Sequence, residues 1–95
     1  MKKWFVYILT NKSNKVLYIW VTNDIVRRTY EHKTNENFWF TAMYNVHKLV
    51  YFEEHDSISD AITREKQLKR RNRQRKIDLI KRDNPERNDL YEDIN

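Results

Sequence analysis

The sequence predicts an α+β fold, a small three-stranded antiparallel sheet flanked by helices. Three short runs are rich in aromatic and β-branched residues: Trp4–Leu9, Val16–Val21 and Lys48–Glu53. Between and after them lie stretches with apolar residues at helical spacing, each introduced by capping side chains. The chain has 95 residues, which is room for one domain and one core.

Trp-Phe-Val-Tyr-Ile-Leu at 4–9 is apolar without alternation, the pattern of a strand buried on both faces. Asn11-Lys12-Ser13-Asn14 forms a turn, and the short connection to 16–21 makes the pair an antiparallel hairpin. The chain has no glycine, where an average chain of this size holds roughly six or seven. Asn is then the residue best able to take a positive φ in the turns. Thr22-Asn23-Asp24 supplies capping oxygens for a helix over 25–33. A polar loop at 34–37 leads into the aromatic but aperiodic segment 38–44, and the third strand follows at 48–53. Asp56 or Ser57 caps a second helix with apolar positions Ile58, Ala61, Ile62 and Leu68. Ile77, Leu79 and Ile80 belong to a further helical stretch, continuous with it or beginning after a break near Asn72. Asn84-Pro85 ends the helices, because proline disfavours helical geometry in the residue before it. The domain is expected over 1–85, followed by a loosely packed acidic tail over 86–95 in which Leu90, Tyr91 and Ile94 are the available anchors.

The absence of cysteine excludes disulfide scaffolds, thiolate zinc sites and cysteine nucleophiles. The absence of glycine excludes phosphate loops that need close backbone approach. No apolar run approaches the roughly 20 residues of a membrane span. The start shows no signal peptide, so the expected location is cytoplasmic. The net charge of +5 is unevenly spread. Residues 1–63 are nearly neutral, residues 64–82 hold ten basic against two acidic side chains, and residues 83–95 are acidic. Such a basic segment neutralises phosphates and makes affinity salt-dependent. The alternative is a solvated helix face with the acidic tail folded back on it.

Several side chains are able to carry chemistry. Ala61, Ile62, Glu65 and Leu68 share one helix face. A carboxylate in an apolar stripe is costly unless paired with a cation or a metal, so Glu65 is either ion-paired or a metal ligand. Arg28 and His32 stand at i, i+4 on the first helix; the guanidinium suits a phosphate and the imidazole suits proton transfer. Tyr7 and Tyr18 stand one on each hairpin strand. A phenol is a poor base at neutral pH unless cations lower its pKa. Phosphodiester hydrolysis asks for a group that activates water, a cation on the phosphoryl oxygens and a carboxylate for a divalent metal. A single carboxylate suits one magnesium ion that keeps most of its waters, not a two-metal site.

In this order and spacing the chain resembles the GIY-YIG nuclease domain, most closely its small single-domain bacterial members. Val6-Tyr7-Ile8 stands at the first signature triplet and Tyr18-Ile19-Trp20 at the second. Val21 to Arg28 matches the downstream pattern, with Arg28 on the family's arginine and His32 on the histidine that often follows it. Phe40-Thr41, Tyr44-Asn45 and residues 48–53 resemble the third-strand region. Arg64-Glu65-Lys66-Gln67-Leu68-Lys69 resembles the helix that bears the metal-binding glutamate, and Asn84-Pro85 the C-terminal motif. The resemblance implies a DNA endonuclease linked to DNA repair or recombination, with Tyr7, Tyr18, Arg28 and His32 catalytic and Glu65 holding Mg²⁺ or Mn²⁺. Its alternative is a catalytically weakened nucleic-acid-binding module on the same fold. In the implied mechanism nearby cations lower the pKa of Tyr7, which activates water. Arg27, Lys66, Lys69, Arg70, Arg71, Arg73, Arg75 and Lys76 would contact the nucleic-acid backbone. Trp20 replaces the second triplet's glycine, Trp39 stands where these proteins tend to have another, and Arg70-Arg71 replaces Gly-Trp. Strand alternation puts Trp20 on the face of Tyr18, where it is expected to fill space that a phosphate and its metal need.

Overall fold

The computed structural model describes residues 3–34 and 45–94. The aromatic segment with Trp39, Phe40, Thr41 and Tyr44 lies outside them. Three strands, β1 (Trp4–Thr10), β2 (Leu17–Thr22) and β3 (Lys48–His55), form an antiparallel sheet in the order β2-β1-β3. The helices are α1 (Ile25–Lys33), α2 (Ile58–Arg70), α3 (Arg73–Asp83) and the short α4 (Tyr91–Ile94).

The central strand β1 is buried from Val6 to Thr10, as its unbroken apolar run demands. Its side chains alternate between two cores. Val6 and Ile8 pack with Ile19, Tyr51, Ala61, Leu68, Leu79 and Ile80, so α2 and α3 cover that face. Tyr7 and Leu9 pack with Ile25, Val46 and Leu49, so α1 covers the other. In the hairpin turn Asn14 takes φ 60°, the conformation that glycine supplies elsewhere. Between Ile8 and Leu9 the pairing with β3 skips Val50, a bulge in the edge strand.

Local chemistry sets the helix ends. Asp24 Oδ1 accepts from the Arg27 N–H (3.1 Å), Ser57 Oγ from the Asp60 N–H (3.1 Å) and Asn72 Oδ1 from the Arg75 N–H (2.9 Å). Asn72 therefore separates α2 from α3, and the two are not one helix. Two sequence expectations are corrected. Ile58 and Ile62 are exposed, because α2 meets the sheet along the narrow seam of Ala61 and Leu68. The acidic C-terminal segment is firmly packed. The Leu90 N–H donates to the Leu49 carbonyl (2.8 Å), Asp89 Oδ1 accepts from the Leu49 N–H (3.2 Å), and Leu90 and Ile94 join the Tyr7 core. The segment thus covers the outer edge of β3.

Candidate active site

Four of the five residues singled out in the sequence gather on one face of the sheet. Tyr7 and Tyr18 point to the α1 side from neighbouring strands, and α1 lays His32 against both. His32 belongs to the buried stripe Ile25, Thr29, His32, which recurs at i, i+4, i+7 along α1. Its imidazole is fully buried, with Nε2 3.2 Å from the Tyr7 hydroxyl. The Tyr18 ring meets it edge-on at 5.3 Å between centroids. Arg28, one turn earlier on α1, is close enough to act electrostatically on Tyr7, Tyr18 and His32. It also lies 3.9 Å from Glu31, which pairs at the same distance with Arg27.

Burial dominates the titration of these groups. It pushes the Tyr7 phenol up, with a further rise from Tyr18, and Arg28 offsets only part of this. The expectation that cations lower the pKa of Tyr7 is corrected: desolvation of a phenolate in the core outweighs the guanidinium's attraction. The Tyr18 phenol is also raised by burial, with Arg28 opposing and Glu65 adding to the rise. Burial, Arg28 and His47 together push the His32 imidazole down to about 4. His32 is therefore neutral at physiological pH. In the tautomer with its proton on Nδ1, Nε2 accepts a hydrogen bond from the Tyr7 hydroxyl.

Glu65 reaches the site from another direction. It lies on α2, which covers the opposite face, and it approaches Tyr18 round the edge strand β2. Its side chain is only 13% exposed, and Lys69 Nζ stands 3.4 Å from its carboxylate. The same ammonium lies 4.1 Å from the centroid of the Trp20 ring. Trp20 pairs directly across from Tyr7 and stacks on Tyr18 at 6.2 Å and 26°. It shares the face of Tyr18, as alternation predicts. It is nevertheless 47% exposed, so it borders the site from the rim and is not buried within it. The sequence names Lys69 as a nucleic-acid contact and allows an ion pair for Glu65 without naming the partner; the role of Glu31 is not singled out. Their i, i+4 and i, i+3 spacings to Glu65 and Arg28 are the signal that was available.

The basic side chains are spread over more than one surface. Arg27, Lys66, Lys69, Arg70, Arg73 and Arg75 are exposed, while Arg71 and Lys76 are half-buried. Arg73 Nη2 donates to the Asn14 carbonyl (2.8 Å) and so ties α3 to the hairpin turn. Arg71, Arg75 and Arg82 line a shallow groove beside Asp78 and Leu79. Leu79 belongs to the core on the α2 side, so this groove lies away from the tyrosine cluster. A second concavity, of about 470 Å³, includes Thr10, Lys33, His47, Lys48 and Asp89 in its lining and none of the five candidate residues. Lys33 donates there to the His47 carbonyl (2.9 Å) and pairs with Asp89, which makes it an anchorage for the C-terminal segment. No helix among the described residues is long and apolar enough to cross a membrane.

Residues 3–78 match the family model described as the GIY-YIG catalytic domain. A UPF0213 protein of Syntrophus aciditrophicus is 41% identical over 88 residues, covering 92% of this chain and 99% of its own. One of Staphylococcus saprophyticus is 34% identical over 80 residues, covering 84% and 96%. The solution NMR structure of a UPF0213 protein from Bacillus halodurans aligns with a TM-score of 0.57 at 25% identity over 88% of each chain.

Proposed function

The chain belongs to the GIY-YIG family, and from that premise we propose that it is an endonuclease that hydrolyses phosphodiester bonds in DNA with one divalent ion, Mg²⁺ or Mn²⁺. The observation that carries this reading is the buried His32 imidazole held against Tyr7 and Tyr18 with Arg28 beside them. Arg28, its side chain 40% exposed, offers a guanidinium fork to the phosphoryl oxygens. Tyr18 fixes the phosphate from the neighbouring strand. Neutral His32 accepts the phenolic proton of Tyr7 while the phenol oxygen takes one from the attacking water. The relay keeps the Tyr7 phenol neutral throughout, as its raised pKa demands; its cost falls on His32, which ends the step as an imidazolium beside Arg28 although burial holds its pKa down.

Glu65 offers one hard oxygen donor, and among the described residues no three His, Cys, Asp or Glu side chains gather into a metal cage. That donor fits an ion that keeps most of its waters. Such an ion supplies charge to the phosphoryl and leaving oxygens. Lys69 must then withdraw from Glu65. The test is DNA cleavage with Mg²⁺. The expected outcome is turnover by the wild-type protein, loss in Glu65→Ala, and a drop of about a hundredfold or more in Tyr7→Phe. Cleavage that survives Glu65→Ala overturns the assignment.

A second reading, a nucleic-acid-binding module on the same fold, draws on the 3.4 Å contact of Lys69 with Glu65 and on Trp20 in place of the motif glycine. It expects wild-type protein that binds DNA without cutting it.

A further inference from the structure

The geometry points to Trp20 as a stacking platform for an unpaired base, and so to nucleic acid with unpaired nucleotides beside the scissile phosphate as the substrate class. This rests on the nuclease reading above. A lone exposed aromatic residue on a surface needs no explanation, so exposure alone does not make the case. The placement of the indole does. It sits directly across from Tyr7, stacked on Tyr18 and capped by the Lys69 ammonium. The indole adjoins Tyr18, so a nucleotide chain whose phosphate meets Tyr18 and Arg28 passes within reach of the indole and can lay a base on it. In a paired duplex the base faces are already stacked on their neighbours. Only an unpaired or extruded base presents a face to Trp20, and every base has one, so the contact is indifferent to sequence.

Lys69, its own side chain 41% exposed, lies over the indole through a cation–π contact and pairs at 3.4 Å with the largely buried Glu65 carboxylate. A stacking base displaces the ammonium, which turns to that nucleotide's phosphate. The same movement removes the cation from Glu65.

The experiment measures anisotropy of a short labelled DNA, as a single strand and as the blunt duplex of the same sequence, in EDTA so that binding is read without cleavage. Trp20→Ala is expected to weaken single-strand binding by about tenfold or more. Trp20→Phe, which keeps a ring, retains most of it. Duplex affinity changes little in either variant, and circular dichroism confirms that both fold. Single-strand affinity untouched by Trp20→Ala overturns the platform, as does an equal loss on both DNA forms. Faster cleavage by Trp20→Ala with unchanged single-strand affinity identifies a plug instead and also overturns it. Salt-dependent binding of both DNA forms that ignores Trp20 removes the platform and leaves the nuclease reading standing. Wild-type protein that binds neither form removes both.

Discussion

His32 illustrates how one buried side chain couples the candidate chemistry to stability. In the fold it stays neutral until the pH falls to about 4, whereas its ordinary value is 6.5. Above the ordinary value both the folded and the unfolded chain hold a neutral imidazole, and the fold has its full stability. As the pH falls from there to about 4, the unfolded chain takes up a proton that the fold refuses, so stability falls. The expected loss attributable to this residue is about 2 kcal/mol, somewhat less than the full shift converts to. His32→Gln keeps a polar group without titrating and removes that part of the slope. Urea unfolding of both proteins at about pH 7 and about pH 4.5 measures the difference; equal slopes defeat the argument. The pairing of Arg28 and His32 on α1 was legible from their spacing. The burial of His32 was legible only by reading Ile25, Thr29 and His32 as the apolar stripe, which a polar-looking helix disguises. The raised pKa of Tyr7 follows from a burial that the unbroken apolar run of β1 already marks; the expectation erred in weighing the nearby cation above desolvation.

Among the elements, the strands follow the sequence closely because aromatic and β-branched runs leave little choice on a sheet buried on both faces. The helix caps also follow, and of the alternatives the sequence leaves open the structure takes Ser57 as cap and the break at Asn72. The C-terminal segment follows only in its anchors Leu90 and Ile94; its close packing depends on partners far away in sequence. Asn84 is the clearest case. Its Nδ2 donates to the Val50 carbonyl at the bulge (3.0 Å) and to the Asn88 carbonyl (2.8 Å), while its Oδ1 accepts from the Asn88 N–H (3.0 Å). It is buried, as is Val50, so loss of that bond leaves the Val50 carbonyl without water, and loss of the other two frees the turn at Asn88. Asn84→Ala is expected to cost about 2–3 kcal/mol. A change in urea midpoint corresponding to less than about 1 kcal/mol would show that the segment holds without it. Ile58 and Ile62 mislead in the opposite sense. Their helical spacing marks a face, but a seam built from Ala61 and Leu68 is too narrow to cover it.

At the scale of the whole molecule the question is what neutralises the basic segment 64–82. The acidic tail was one candidate. It attaches elsewhere, through Asp89 to Lys33 and Leu49 and through Leu90 and Ile94 to the Tyr7 core. Local carboxylates take a share: Glu53 accepts from Arg64 (2.8 Å), Glu65 meets Lys69, and Asp83 meets Arg82. Arg70 and Arg75 are exposed, and Arg71 opens with Arg75 onto the groove beside Leu79. A cluster of like charges raises the energy of the free protein and is relieved by an anion, with phosphate oxygens suited to the guanidinium fork. Arg73 is a poorer probe, because its bond to the Asn14 carbonyl gives it a structural task. Replacing Arg70, Arg71 and Arg75 with Gln is therefore expected to weaken DNA binding about equally for all sequences. It should also flatten the plot of log affinity against log salt by about 0.9 per lost contact on a duplex, or about 0.7 on a single strand. Titrations at several salt concentrations read the slope directly. If the groove across the sheet from the tyrosines also takes backbone, the DNA must pass round the molecule and the slope falls for Arg71 and Arg75 individually. An unchanged slope in the triple variant would confine the contact to the surface around Arg28 and Lys69.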